Sequence, residues 1–151
     1  MDSTQKVAII TGASRGIGAG LVAGYRKLGY AVAATSRSVD SSDPEVLAVP
    51  GDLSRPGTGA DVVEHALNRF GRIDTLVNNA GAFIAKPFTD YTDEDYDAVA
   101  GVNLRGVFEI SRNAIAAILA HTGGGHLINL EQARFVTGEI LHVDGGQSAG
   151  H

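Results

Sequence analysis

The chain contains no cysteine, which removes disulfides, thiolate chemistry and cysteine-based zinc sites and leaves the redox compartment open. Charge is sparse at 19% and leans acidic, with 17 Asp and Glu against 12 Lys and Arg. That balance argues against a dedicated nucleic-acid binder. No window approaches the roughly 18 consecutive apolar residues of a membrane span. The opening Met1-Asp2-Ser3-Thr4-Gln5-Lys6 lacks a basic region followed by an apolar run, so no secretory signal is expected. These absences predict a cytoplasmic protein with small-molecule chemistry, without nucleic-acid or membrane partners. What is present is enough chain for one core: 151 residues, 44% of them hydrophobic, a composition that excludes disordered and fibrous classes. There are also 20 glycines, and their positions carry most of the remaining information.

Short apolar runs alternate with helical patterns. Val7–Ile10 reads as a strand buried on both faces, followed by a glycine turn and a helix from about Gly16 to Leu28 that Gly29 closes. Ala31–Thr35 and Val46–Val49 read as the second and third strands, the latter ended by Pro50, and a helix is expected near Asp61–Phe70. Ile73–Val77 follows as strand four. Thr92 and Asp95 form an N-cap pair for a short acidic helix, and a long apolar helix runs from Val102 to about Ala120. His126–Leu130 and Ile140–Val143 complete the strands. Such alternation predicts right-handed crossovers and a doubly wound α/β parallel sheet with helices on both faces. Ligands of such sheets lie at the carboxyl ends of the strands.

Thr11-Gly12-Ala13-Ser14-Arg15-Gly16-Ile17-Gly18 follows strand one and opens the first helix. Glycines at this G-x-x-x-G-x-G spacing let the backbone turn tightly and approach a pyrophosphate, which the positive end of the helix attracts. Where the second strand ends, an acid would hold the ribose hydroxyls of NAD. The chain instead has Ser36 and Arg37, with no acid before Asp40. An arginine there suits bidentate pairing with a 2′-phosphate, and Arg15 is placed to join it. NADP(H) is therefore the preferred cofactor, with NAD(H) the alternative.

With these residues in view, the chain resembles the short-chain dehydrogenase/reductase family, whose cofactor loop Thr11–Gly18 reproduces almost letter for letter. Gly51-Asp52-Leu53 is similar to the segment whose Asp contacts adenine. Asn78-Asn79-Ala80-Gly81 matches a signature that stabilises the sheet and lines the cofactor cleft, and Val102-Asn103 the helix start whose Asn helps hold a proton-relay water. Phe135–Gly146 looks like the final strand. The resemblance implies a Rossmann-type sheet and hydride transfer between NADP(H) and a small-molecule carbonyl or alcohol. It also implies cofactor contacts from Gly12, Ser14, Arg15, Gly16, Ile17, Gly18, Arg37, Asp52, Leu53, Asn79, Ala80 and Gly81. The helix from Val102 to Ala120 resembles the family's oligomerisation helix, so a homo-oligomer is expected, although ordinary core would give the same stripe.

One family feature is missing. Members use a Ser after strand five and a Tyr followed four residues later by Lys, whose ammonium lowers the Tyr pKa for proton transfer. Here Tyr25, Tyr30, Tyr91 and Tyr96 are followed at that position by Gly29, Ala34, Asp95 and Ala100. Asn103 is the one catalytic-type residue left. Family likeness holds through residue 130 and resumes after a junction, over residues 131–151, as part of the same single dinucleotide-binding unit. The sheet is expected to be incomplete on the substrate side. Three readings stay open: a truncated variant, a non-catalytic dinucleotide-binding or subunit-association module, or a chain whose continuous form carries more residues between Leu130 and Glu131. Only nine residues, Glu131–Glu139, separate the last two strands, fewer than the dozen or so of a parallel crossover. The last strand therefore pairs antiparallel or docks elsewhere.

The remaining candidates read as structure. Five histidines show no metal-ligand spacing, and no metal is expected. Asp90, Asp93, Glu94, Asp95 and Asp97 fit an acidic helix start, where the dipole favours carboxylates. Neither a G-x-S-x-G elbow around Ser14 nor a Walker A lysine is present.

Overall fold

Val7, Ala8, Ile9 and Ile10 are all buried, so the strand they form has apolar cover on both faces. The computed structural model describes residues 5–130 and the backbone of residues 139–143. In chain order the elements are β1 (Val7–Thr11), α1 (Gly16–Lys27), β2 (Ala31–Ser36), β3 (Val46–Pro50), α2 (Thr58–Phe70), β4 (Thr75–Asn78), α3 (Asp93–Ala100), α4 (Val107–His121), β5 (Gly125–Asn129) and β6 (Glu139–Val143). A 3₁₀ turn spans Phe88–Asp90 and a π-helical turn spans Gly101–Gly106.

The sheet order is β3-β2-β1-β4-β5-β6. The first five strands run parallel, with Val7 opposite Ala31, Ala8 opposite Thr75 and Thr75 opposite His126. This is the expected doubly wound Rossmann-type sheet. Strand order reverses between β1 and β4, which opens a crevice at their carboxyl ends. β6 pairs antiparallel with β5, His126 opposite His142. That is the arrangement a short connection permits, and it leaves the parallel sheet at five strands.

Alternate residues of the strands feed two cores. Ile9, Ala33 and Val49 pack with Val62, Val63 and Ala66 of α2 and with Ile110, Ala114 and Ile118 of α4. Ala8, Ile10, Val32 and Ala34 face the other way, against Leu21, Val22 and Tyr25 of α1. The sheet is pinned at its base by Asp74, whose carboxylate accepts from Val7 N at 2.8 Å and from Arg72 Nε at 3.0 Å.

Three boundaries differ from the sequence reading. Helix α2 begins at Thr58 rather than near Asp61, because the Glu109 carboxylate of α4 accepts from Gly57 N at 2.8 Å and fixes the turn before it. Pro50 lies inside β3, where an edge strand tolerates its missing N–H. The long helix expected from Val102 becomes α-helical only at Val107. The preceding Gly101–Gly106 turn takes π geometry, with Gly106 pressed so close to Leu53 that a Cβ there would lie 2.8 Å from the Leu53 carbonyl. The Thr92/Asp95 capping box forms as expected.

Candidate functional site

The crevice is a cleft of about 840 Å³ at the carboxyl ends of the strands. Every residue expected to touch a cofactor lines it: Gly12, Ser14, Arg15, Gly16, Ile17, Gly18, Arg37, Asp52, Leu53, Asn79, Ala80 and Gly81. The cleft has two halves, set by strand order. The ends of β2 and β3 contribute Ser36, Arg37, Ser38, Asp52 and Ser54, and the end of β4 contributes Asn79 to Phe83. The glycine turn after β1 lies between them.

That turn is shaped by its glycines. Gly12 and Gly16 take positive φ, +64° and +57°. Gly18 packs so tightly that a Cβ on it would lie 2.0 Å from the Gly12 carbonyl oxygen, whereas at Gly16 the same atom would meet nothing within 4 Å. The closed side of the turn therefore faces protein and the open side faces the cleft. Helix α1 starts there with no side-chain cap and no acid in its first turn. Its uncapped N–H groups and positive dipole end suit an anion.

A compact set of hydrogen bonds holds the turn against the β4 end. The Thr11 hydroxyl oxygen, buried, accepts from the backbone N–H groups of Asn79 at 3.0 Å and Ala80 at 2.9 Å. In return Asn79 Nδ2 donates to the carbonyls of Thr11 at 3.0 Å and Gly12 at 3.2 Å. The Asn79 amide is thus a strut for the glycine turn. Next to it, Asn78 Nδ2 donates to Ser111 Oγ at 3.0 Å and Asn129 Oδ1 at 2.9 Å, linking β4 to α4 and β5.

Asp52 closes a tight turn after β3. Its Oδ1 accepts from Ser54 Oγ at 2.7 Å and from Ser54 N at 3.0 Å, while Oδ2 lies 4.0 Å from Arg55 Nε. The Ser54 hydroxyl and N–H, with smaller help from Arg55 and Arg37, hold the carboxyl below the usual Asp range despite partial desolvation. Asp52 therefore stays ionised at neutral pH. Leu53 is buried, packing into the α2/α4 core as well as bordering the cleft.

Asn103 stands apart from the other predicted residues. Its side chain does not line the cleft; Oδ1 accepts from Ala82 N at 2.8 Å and Nδ2 donates to the Ala82 carbonyl at 2.9 Å. The side-chain amide pairs with one residue's backbone, as a neighbouring strand would. Among the described residues no group of three or more His, Asp or Glu side chains could hold a metal, and no helix is long and apolar enough to cross a membrane.

Sequence reasoning missed the Thr11–Asn79 strut, the Asn78–Ser111–Asn129 link and the presence of Phe83 in the cleft wall. The first two pair residues far apart in sequence, and no local pattern announces them. Phe83 was readable only as one more apolar loop residue.

A doubly wound sheet with a glycine turn at its switch point places the chain among the Rossmann-type α/β proteins. Residues 6–133 match the short chain dehydrogenase family, and the chain belongs to that family of oxidoreductases. It is 33% identical over 134 residues to a hydroxynaphthalene reductase-like protein of Metarhizium acridum, covering 82% of this chain and 49% of that protein. Among solved structures it resembles 3-ketoacyl-(acyl-carrier-protein) reductase from Brucella melitensis complexed with NADH, at 35% identity and TM-score 0.69, covering 74% of this chain and 49% of that one. It also resembles a blue fluorescent protein from a metagenomic library in complex with NADPH, at 31% identity and TM-score 0.76, covering 91% and 62%. The chain spans about half the length of the curated relatives it matches.

Proposed function

We propose that the cleft holds NADP(H) and that the protein transfers hydride reversibly between the nicotinamide and a carbonyl or alcohol. The observation that carries this reading is the uncapped start of α1 behind an open Gly16, with Arg15 and Arg37 in the same cleft. Gly12, Ser14, Arg15, Gly16, Ile17 and Gly18 would surround the pyrophosphate, and Arg37 with Arg15 would pair with a 2′-phosphate. Asp52 and Leu53 would face adenine. Asn79, Ala80 and Gly81 would line the ribose and nicotinamide path, with Asn103 fixing Ala82 beside it. When bound, the nicotinamide would supply the hydride or accept it; the protein's part is to orient it and exclude water.

Arg37→Asp tests the cofactor choice. A charge-assisted hydrogen bond contributes about 1.5–3 kcal/mol, so the NADPH/NADH affinity ratio should fall by about 10- to 100-fold. Fluorescence titration of both reduced cofactors measures it, and an unchanged ratio removes Arg37 from the 2′-phosphate site.

A second reading is favoured by the lack of any Tyr-x-x-x-Lys in the sequence. In it residues 1–151, one dinucleotide-binding unit, bind cofactor without turnover, and the exposed Leu104 of the π-helical turn and Phe108 of α4 support association with identical chains. This polypeptide should then oxidise NADPH no faster than buffer when offered a generic diketone. Turnover above that background would show that another group supplies the proton.

A further inference from the structure

Phe83 is 80% exposed, yet it forms part of the cleft wall. An apolar ring in water is common on protein surfaces and by itself signals nothing. The mounting of this one is unusual. The residue before it, Ala82, has both its N–H and its carbonyl bound by the Asn103 side chain, at 2.8 and 2.9 Å. Two residues earlier still, Ala80 donates its N–H to Thr11. The exposed ring therefore extends from a backbone fixed from two directions, one through the glycine turn and one through the π-helical turn.

Its place in the cleft is equally specific. The charged groups Arg15, Arg37 and Asp52 belong to the β1, β2 and β3 ends, whereas the β4 end contributes Asn79, Ala80, Gly81, Ala82 and Phe83. A dinucleotide with its pyrophosphate at the β1 turn and its phosphorylated ribose over β2 sends its other nucleoside over β4. The reactant meets the cofactor at that end. The wall it finds there carries no charged side chain; its one polar side chain, Asn79, already donates to the Thr11 and Gly12 carbonyls, and Phe83 is its one aromatic ring.

Resting on the cofactor reading above, we infer that Phe83 is a specificity-determining contact for an uncharged, ring-bearing carbonyl or alcohol substrate. The ring offers a face for offset stacking and a large apolar area for a small loss of side-chain freedom. Phe88 is the internal contrast: it is 89% exposed on the same loop, lies outside the cleft wall and sits against Tyr91 at a 6.0 Å ring separation.

The test uses the whole chain and acetophenone as the probe. Calorimetry first measures NADP⁺ binding by the wild type, and then acetophenone binding to the NADP⁺ complex of wild type, Phe83→Tyr, Phe83→Ala and Phe88→Ala. Saturable acetophenone binding is expected, retained in Phe83→Tyr and Phe88→Ala. In Phe83→Ala it should weaken about ten-fold, the worth of one aromatic contact. Because the chain has no tryptophan, Phe83→Trp adds a single indole. Its emission should transfer to bound NADPH and, in the NADP⁺ complex, be quenched saturably by acetophenone. Failure of NADP⁺ to bind would sink the cofactor reading and this inference together. NADP⁺ binding without saturable acetophenone binding, or with equal acetophenone affinity in Phe83→Ala, would overturn the inference alone. So would a lowered Tm in Phe83→Ala, which would mark the ring as packing.

Discussion

Gly18→Ala is expected to abolish measurable NADPH binding and to destabilise the fold by about 3 kcal/mol or more, the upper end of overpacking costs. The added Cβ would sit 2.0 Å from the Gly12 carbonyl oxygen and 2.7 Å from Asn79 Nδ2. The first neighbour is backbone, and the second is the amide that braces the turn through Thr11 and Gly12. Neither can yield without moving the glycine turn. Gly16→Ala should behave differently. Its φ of +57° imposes a left-handed penalty of about 1–2 kcal/mol, but nothing lies within 4 Å of the new atom. Affinity should therefore fall by more than stability does, because the methyl enters the space a pyrophosphate would approach. Gly20→Ala, inside α1 with open space around it, should gain about 0.5–1 kcal/mol. Urea denaturation with NADPH titration of the three variants separates these effects. Wild-type affinity and stability in Gly18→Ala would mean that the turn is free to rearrange, which the close contacts argue against.

How much of this was readable in the sequence depended on whether the determining forces were local. The all-apolar run Val7–Ile10, the alternation of elements and the glycine spacing each express a local rule, and each led to the right element in the right order. The capping box at Thr92 is the same kind of signal. The start of the long helix was misplaced because its cause is tertiary: Gly106 must approach Leu53, and Asn103 must turn to Ala82, so the helix widens to π geometry before it becomes regular. Of the candidate site, the sequence identified which residues would share a cleft. It could not say which would face it with free chemistry. Asn79 was expected to line the cofactor path and does border the cleft, but its amide is committed to the Thr11 and Gly12 carbonyls. Leu53 divides its surface between cleft and core. Loop length excluded a parallel neighbour for β6 but left it either antiparallel or docked elsewhere, and its pairing with β5 settles that choice.

Thr11→Val should be the most costly isosteric change at the site, because it removes an acceptor and leaves its donors in place. The Thr11 hydroxyl accepts from two backbone N–H groups, those of Asn79 and Ala80, and Thr11 is 1% exposed. Replacing the hydroxyl by a methyl orphans both donors where water cannot reach them easily. An unsatisfied buried donor costs about 1–3 kcal/mol, so the pair should cost about 2–6 kcal/mol. Thr11→Ser keeps the oxygen and loses only a methyl, which costs about 1 kcal/mol, so the contrast between the two isolates the hydrogen bonds from packing. The binding consequence follows from geometry. The same strut aligns Gly12 with the β4 end, so NADPH affinity should fall in Thr11→Val and hold in Thr11→Ser. Asn79→Ala removes the opposite half of the strut, and the double variant should lose less than the sum of the singles, since each change already frees the turn from β4. Strict additivity in chemical denaturation would mean that the two halves act independently. A loss in Thr11→Val no greater than in Thr11→Ser would place the hold on the turn in the glycine contacts alone.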